Sequence, residues 1–168
     1  MKIPTDKLKE LREQTGAGIM ACRNALADTE LDMEKALEIL KQQSLIIVDR
    51  KKERSTSQGI IEAYIHAGGR IGAMVELNCE TDFAAHTDEF KELAHNLAMQ
   101  VAAMPPQYIS QDEMPEGTET EAKEACLLHQ PYIRDLSVTV QDIINEIIAK
   151  VGENIRVSRF ARYEMGEQ

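Results

Sequence analysis

Near the middle of the chain two runs of alternating apolar residues flank a Gly-Gly dipeptide, an arrangement that fixes a β-hairpin there. In Gly59–His66 the residues Ile61, Ala63 and Ile65 alternate with Glu62, Tyr64 and His66. In Arg70–Cys79 the residues Ile71, Ala73, Val75, Leu77 and Cys79 share one face. A period of two belongs to strands, and Gly68-Gly69 supplies the positive φ angles that a tight hairpin turn requires.

On both sides of the hairpin the period is helical. Pro4 and Thr5 suit a helix start, with Leu8 and Leu11 on its apolar edge. Thr15-Gly16-Ala17-Gly18 breaks the pattern before a second helix carrying Ile19, Cys22, Ala25 and Leu26. Asp32 is placed to cap a third, in which Met33, Ala36, Leu37 and Leu40 fall on one stripe. Residues 49–58 carry charges and serines without apolar period. After Thr87 a stripe of Phe90, Leu93, Ala94, Leu97, Val101 and Met104 runs to Pro105-Pro106. Thr118 and Glu121 have capping-box spacing ahead of Ala122, Ala125 and Leu128, which predicts a helix closed by Pro131. Val140–Val151 predicts the last helix, with Gly152 just past its end. Asn154–Met165 reads as a third strand, bulged because Ile155 and Val157 have the opposite parity to Phe160. The expected fold is therefore α+β: an N-terminal three-helix bundle over 1–48, a linker over 49–58, and a core over 59–168 of a three-stranded antiparallel sheet with helices on one face. At 168 residues there is room for one main core plus a small helical module.

Several function classes are set aside by charge and spacing. A formal net charge of −10 argues against direct contact with nucleic acid, which rests on clustered Lys and Arg. The one basic cluster, Arg50, Lys51, Lys52 and Arg54, is diluted by Asp49 and Glu53 and reads as a solvated linker. The longest apolar run is Leu45–Val48, far short of the roughly 20 residues of a membrane span. Met1-Lys2-Ile3-Pro4 leads into charges without the apolar segment of a signal peptide. A bacterial-type cytoplasm is the expected setting, or an organelle equivalent. Cys22, Cys79 and Cys126 lie far apart, without zinc or redox spacing, and reduced thiols fit that compartment.

Motif matches fare no better as signs of chemistry. Gly16-Ala17-Gly18-Ile19-Met20-Ala21 fits a dinucleotide fingerprint, but a helix precedes it where a strand is required. Glu92-Leu93-Ala94-His95 is a single E-x-x-H where a di-metal bundle needs two. His66, His86 and His129 have no ligand spacing, and Cys79 with His86 would be a thiol–imidazole pair only if Cys79 left the apolar face of its strand. No metal, no cofactor and no catalytic residue is expected, so the chain does not read as an enzyme.

What remains is Asn78-Cys79-Glu80-Thr81-Asp82-Phe83, where a strand ends in an acid and an aromatic. An exposed Phe on a connection is a typical anchor for a partner's pocket. The alternative is that Phe83 is the first core residue of the next helical turn and Asp82 only its N-cap.

At these residues the sequence resembles the elongation factor Ts family, and the resemblance runs nearly end to end. Leu11–Met20 resembles the family's N-terminal signature, which lies in a ubiquitin-associated-like three-helix domain. Tyr64–Gly72 and Val75–Phe83 resemble the hairpin of its core and its Thr-Asp-Phe loop, and Ala149–Ile155 the helix-to-strand junction near the end. The resemblance implies a protein that binds elongation factor Tu and speeds exchange of GDP for GTP. It implies that Asp82 and Phe83 push in beside the magnesium and phosphate site of that GTPase, with Thr81 shaping the loop. It further implies that Arg12, Gly18, Ile19 and Met20 grip a helix of the GTPase. The core occurs once rather than as two related subdomains, as in short forms that can pair through it, so a homodimer is the corresponding expectation. The rival expectation is a ubiquitin-associated-like adaptor or chaperone-type binding module without exchange activity.

Overall fold

A computed structural model of the chain describes residues 3–167. Met1 and Lys2, which open the expected helical segment, and the terminal Gln168 lie outside the described residues. Three helices come first: α1 (Thr5–Thr15), α2 (Ile19–Asp28) and α3 (Met33–Lys51). Pro4 stands extended at the start of α1, where its missing N–H costs nothing, and the Asp32 side chain caps α3 by accepting from the Lys35 amide. Leu11, Cys22, Ala25, Leu26, Ala36 and Leu40 are buried together as the core of this bundle. The helix α3 outlasts the bundle. Its charged residues Asp49–Lys51 remain helical, and Val48 packs against the second, larger core.

That larger core lies under a sheet of β1 (Gln58–Ile65), β2 (Ile71–Cys79) and β5 (Ile155–Glu164), antiparallel in the order β1-β2-β5. One helix, α5 (Asp88–Ala103), covers one face of the sheet through Phe90, Leu93, Ala94, Leu97 and Val101, all buried against Val75 and Leu77. A second, α7 (Val140–Val151), adds Val140, Ile144 and Ile148. Between α5 and α7 run the one-turn α6 (Ala122–Ala125) and a short hairpin, β3 (Pro131–Tyr132) with β4 (Asp135–Thr139). The fold is α+β, as the periods predict. Among the described residues no helix is long and apolar enough to cross a membrane.

Three features differ from the sequence expectation or refine it. The apolar set Ile61, Ala63 and Ile65 of β1 points away from the helices, and Ile61 and Ile65 are 64% and 66% exposed. Register explains it: Ile60, Glu62 and Tyr64 stand opposite Leu77, Val75 and Ala73, and cross-strand partners share a face. Because α5 covers the Val75–Leu77 face, it also covers Ile60, Glu62 and Tyr64. The expected bulge in β5 is present. Leu77 pairs with Val157 and Glu76 with Arg159, leaving Ser158 as the extra residue.

The helix expected after Thr118 is the larger correction. No capping box forms: the Thr118 hydroxyl donates to the Pro115 carbonyl, Glu121 occupies the N-cap, and the helix lasts only through Ala125. Cys126 is extended because the backbone here is engaged elsewhere. The amides of Gln107 and Tyr108 donate to the Ala125 carbonyl, and those of Leu127 and Leu128 donate to the carbonyls of Tyr108 and Ile109. Buried Gln130 then fastens the strap, its amide donating to the carbonyls of Met104 (2.7 Å) and Glu124 (2.9 Å).

Candidate functional site

The site is built where β2 ends. Cys79 is the last inward residue of the strand and is wholly buried, its Sγ–H donating to the Thr81 carbonyl at 3.1 Å. Burial pushes this thiol above its ordinary pKa, with the nearby Glu153 carboxylate adding to the effect. A thiol so held is a poor nucleophile, and His86 does not activate it: His86 Nδ1 instead lies 2.6 Å from the Asp82 carbonyl. The thiol–imidazole alternative therefore has no geometry to support it.

Thr81 is extended (φ −126°, ψ 157°) and is the true N-cap of the single turn α4 (Asp82–Ala85), accepting from the Ala84 amide at 3.3 Å. The sequence had offered Asp82 for that role. Instead Asp82 is the first helical residue and is exposed, as its place beside the helix N-terminus favours for an acid. Ala84 and Ala85 are buried and seat the turn on the sheet, while Phe83 stands 81% exposed. Phe83 is thus no core residue.

A crossed pair of carboxylates fixes this turn from below. Glu153, just past α7, accepts from the Thr81 backbone N–H at 2.9 Å and from its hydroxyl at 2.6 Å. Glu80 reaches the other way and accepts from the Asn154 backbone N–H at 2.7 Å, with Arg54 Nη1 3.5 Å from its second oxygen. Asn154 is itself buried and donates to the carbonyls of Lys52 (3.2 Å) and Arg54 (2.9 Å), and Lys51 Nζ donates to the carbonyl of Gly152. Hydrogen bonds to ionised carboxylates are about twice as strong as neutral ones. No period or spacing in the sequence points to Glu153, Glu80 or Asn154 as anchors of this turn. The only local sign of them was a polar Gly152-Glu153-Asn154 set between an apolar helix and an apolar strand.

The second group expected from sequence sits elsewhere, at the α1–α2 junction. Arg12 lies in the last turn of α1, Gly18 is the N-cap of α2, and Ile19 and Met20 open that helix. All are exposed, Ile19 at 51% and Met20 at 60%, whereas Cys22, Ala25 and Leu26 of the same helix are buried. The remaining motif residues are engaged structurally. His95 Nδ1 lies 3.0 Å from Glu62 and Glu92 is 3.6 Å from Arg134. No group of acids, His and Cys suited to a metal ion occurs among the described residues.

A family model described as Elongation factor TS matches residues 28–123, more than half of the chain and inclusive of the loop after β2. The chain belongs to the elongation factor Ts family. It is 48% identical to the elongation factor Ts of Thermotoga neapolitana over 196 aligned positions, covering all of both chains. It is likewise 48% identical to that of Thermotoga maritima over 195 positions (99% of this chain, 98% of the relative). Against the elongation factor Ts of Carboxydothermus hydrogenoformans it is 44% identical over 195 positions (98% and 90%). As a member of the elongation factor Ts family it is a translation elongation factor.

Proposed function

We propose that this chain binds elongation factor Tu in its GDP form and promotes release of GDP, so that GTP can replace it. The observation that carries this is the four-fifths exposed ring of Phe83, beside the exposed acid of Asp82, on a turn whose backbone is anchored at both ends. An aromatic so presented enters a partner's pocket without first leaving its own core. In the proposed complex Phe83 and Asp82 press in beside the magnesium and phosphate site, and Thr81 sets the turn that aims them. Arg12, Gly18, Ile19 and Met20 hold the GTPase from the bundle. No bond is made or broken by the chain, so it acts as an exchange factor and not as an enzyme, in the cytoplasm where translation proceeds. Linkage supplies the mechanism: a protein that prefers the nucleotide-free state weakens nucleotide binding by the same factor by which nucleotide weakens its own binding.

The working division of labour is a binding bundle over 1–48, a connector over 49–58 and the exchange core over 59–168. The outer face of the sheet supports a further part of the proposal, a homodimer. Ile61, Ile65, Met74 and Tyr163 are between 49% and 73% exposed and share that face. A contiguous apolar sheet face marks an interaction surface, and self-pairing is its simplest isologous use. Sedimentation velocity of the wild type and of Met74→Glu tests it: a dimer that the substitution splits supports the pairing, and a monomeric wild type removes it.

The exchange proposal is tested by stopped-flow release of fluorescent GDP from elongation factor Tu, with the wild type, Phe83→Ala and Asp82→Ala. Acceleration by the wild type that Phe83→Ala abolishes is the expected result. No acceleration by the wild type ends the proposal. Acceleration that neither substitution changes ends the site assignment and leaves the bundle as the working surface.

A further inference from the structure

We propose that Glu153 is the positioning residue of the exchange loop, acting on the partner only through the turn that carries Phe83. This deepens the exchange reading and rests on it. The ring of Phe83 has almost no packing of its own, so its direction is set by the backbone of α4 and nothing else. Downstream, that backbone is seated by the buried methyls of Ala84 and Ala85 and by the Thr87 hydroxyl, which donates to the Ala84 carbonyl at 2.8 Å. Upstream, Glu153 takes both polar hydrogens of Thr81, the N–H on one oxygen and the O–H on the other. A two-point grip fixes the rotamer of Thr81 as well as its backbone, and the same Thr81 oxygen caps α4 by accepting from Ala84.

Glu153 also sits between the residues that hold the end of α3. The carbonyl of Gly152 before it receives the Lys51 ammonium, and the side chain of Asn154 after it binds the carbonyls of Lys52 and Arg54. One three-residue segment therefore fixes the loop that carries Phe83 and the tail of the helix that carries the bundle. Both proposed contact groups are referred to the same point of the core, which is what a protein gripping one partner in two places needs. A carboxylate there is not demanded by stability alone, because Glu153 is only partly buried and water could serve Thr81 in its place.

The test uses the full chain with Glu153→Ala, Glu153→Gln, Phe83→Ala and the double variant Glu153→Ala/Phe83→Ala. Two readouts are taken: amide hydrogen exchange of Thr81–His86 in the free protein, and release of fluorescent GDP from elongation factor Tu. The expected result for Glu153→Ala is exchange about tenfold faster at the amides of Thr81, bonded to Glu153, and Ala84, bonded to the Thr81 hydroxyl, with protection in β2 and α5 retained. Its GDP release slows about tenfold, Glu153→Gln falls between it and the wild type, and in the Phe83→Ala background Glu153→Ala changes release no further. Unchanged protection at Thr81 and Ala84 overturns the proposal, and so does a loss of release that persists undiminished without Phe83. If Glu153→Ala lowers protection throughout the core, Thr81→Val decides: it removes the hydroxyl from the loop side, and wild-type release in that variant overturns the proposal. If the wild type gives no acceleration the exchange reading fails, and if Phe83→Ala promotes release as fast as the wild type the assignment of Phe83 fails; in either case the amide data still decide whether Glu153 orders the turn.

Discussion

The two ends of β2 are built on opposite plans. At its start the chain turns through Gly68 and Gly69, closed by backbone bonds from the His66 amide to the Ile71 carbonyl and from the Gly69 amide to the His66 carbonyl, both 2.9 Å. A Cβ added to either glycine would meet nothing within 4 Å. At its finish, the side chain of Arg54 in the connector meets Glu80, those of Cys79 in β2 and Glu153 after α7 hold Thr81, and the Asn154 backbone N–H donates to Glu80. Both ends face solvent, yet exposure means different things in the two. The turn is open because nothing presses on it. The exit presents Asp82 and Phe83 to solvent above a backbone tied down on each side. An exposed residue is a candidate tool when the structure beneath it is over-determined, and merely a tip when it is not.

The sharpest way to break this contrast is a methyl group placed at each end. Gly59 lies opposite Asn78 with φ near 150°, where an added Cβ would run into the Leu77 carbonyl oxygen and come within 2.8 Å of the Asn78 Cα. Gly59→Ala is expected to cost about 3 kcal/mol or more, read by urea denaturation. Removing the buried amide in Asn154→Ala strands the Lys52 and Arg54 carbonyls and should cost about 2 kcal/mol in the same assay. Gly68→Ala meets open space and carries only the strain of its positive φ (91°), so about 1 kcal/mol is expected. Equal losses at Gly59 and Gly68 would erase the distinction between the two ends.

The smallest expected effect sharpens the comparison through pH. Burial raises the Cys79 pKa, so the folded state favours the protonated thiol over a range in which the unfolded chain ionises. The stability this contributes is complete below the ordinary thiol pKa and is lost as pH climbs through the raised value. The stability difference between the wild type and Cys79→Ala should therefore shrink from about pH 8 upward, as followed by urea midpoints. A difference that widens would place the thiolate, not the thiol, at the base of the loop.

How far the sequence carries depends on whether a feature is local. The helices α1, α2, α3, α5 and α7, the Gly68-Gly69 turn and the bulge near Ser158 are written in period and parity and are found where those place them. Which face of β1 is covered is not local. Alternation gives the period, and only the pairing of Ile60 with Leu77 says which side meets α5. The stretch after Thr118 misleads because capping-box spacing is a weak local preference, overridden here by backbone bonds to residues 107–109. At the site, Thr81, Asp82 and Phe83 are legible as a strand exit carrying an unusual aromatic. Glu153 is not, because it meets Thr81 from 72 residues away and no spacing rule reaches that far.

The measurement that bears most directly on the account is the affinity of the chain for elongation factor Tu in two states, free of nucleotide and loaded with GDP and Mg²⁺. A wedge acting at the phosphate site must bind the empty form more tightly, and Phe83→Ala must narrow that ratio toward one by weakening binding to the empty form. Equal affinities for the two states in the wild type, or a ratio that Phe83→Ala leaves untouched, would contradict it.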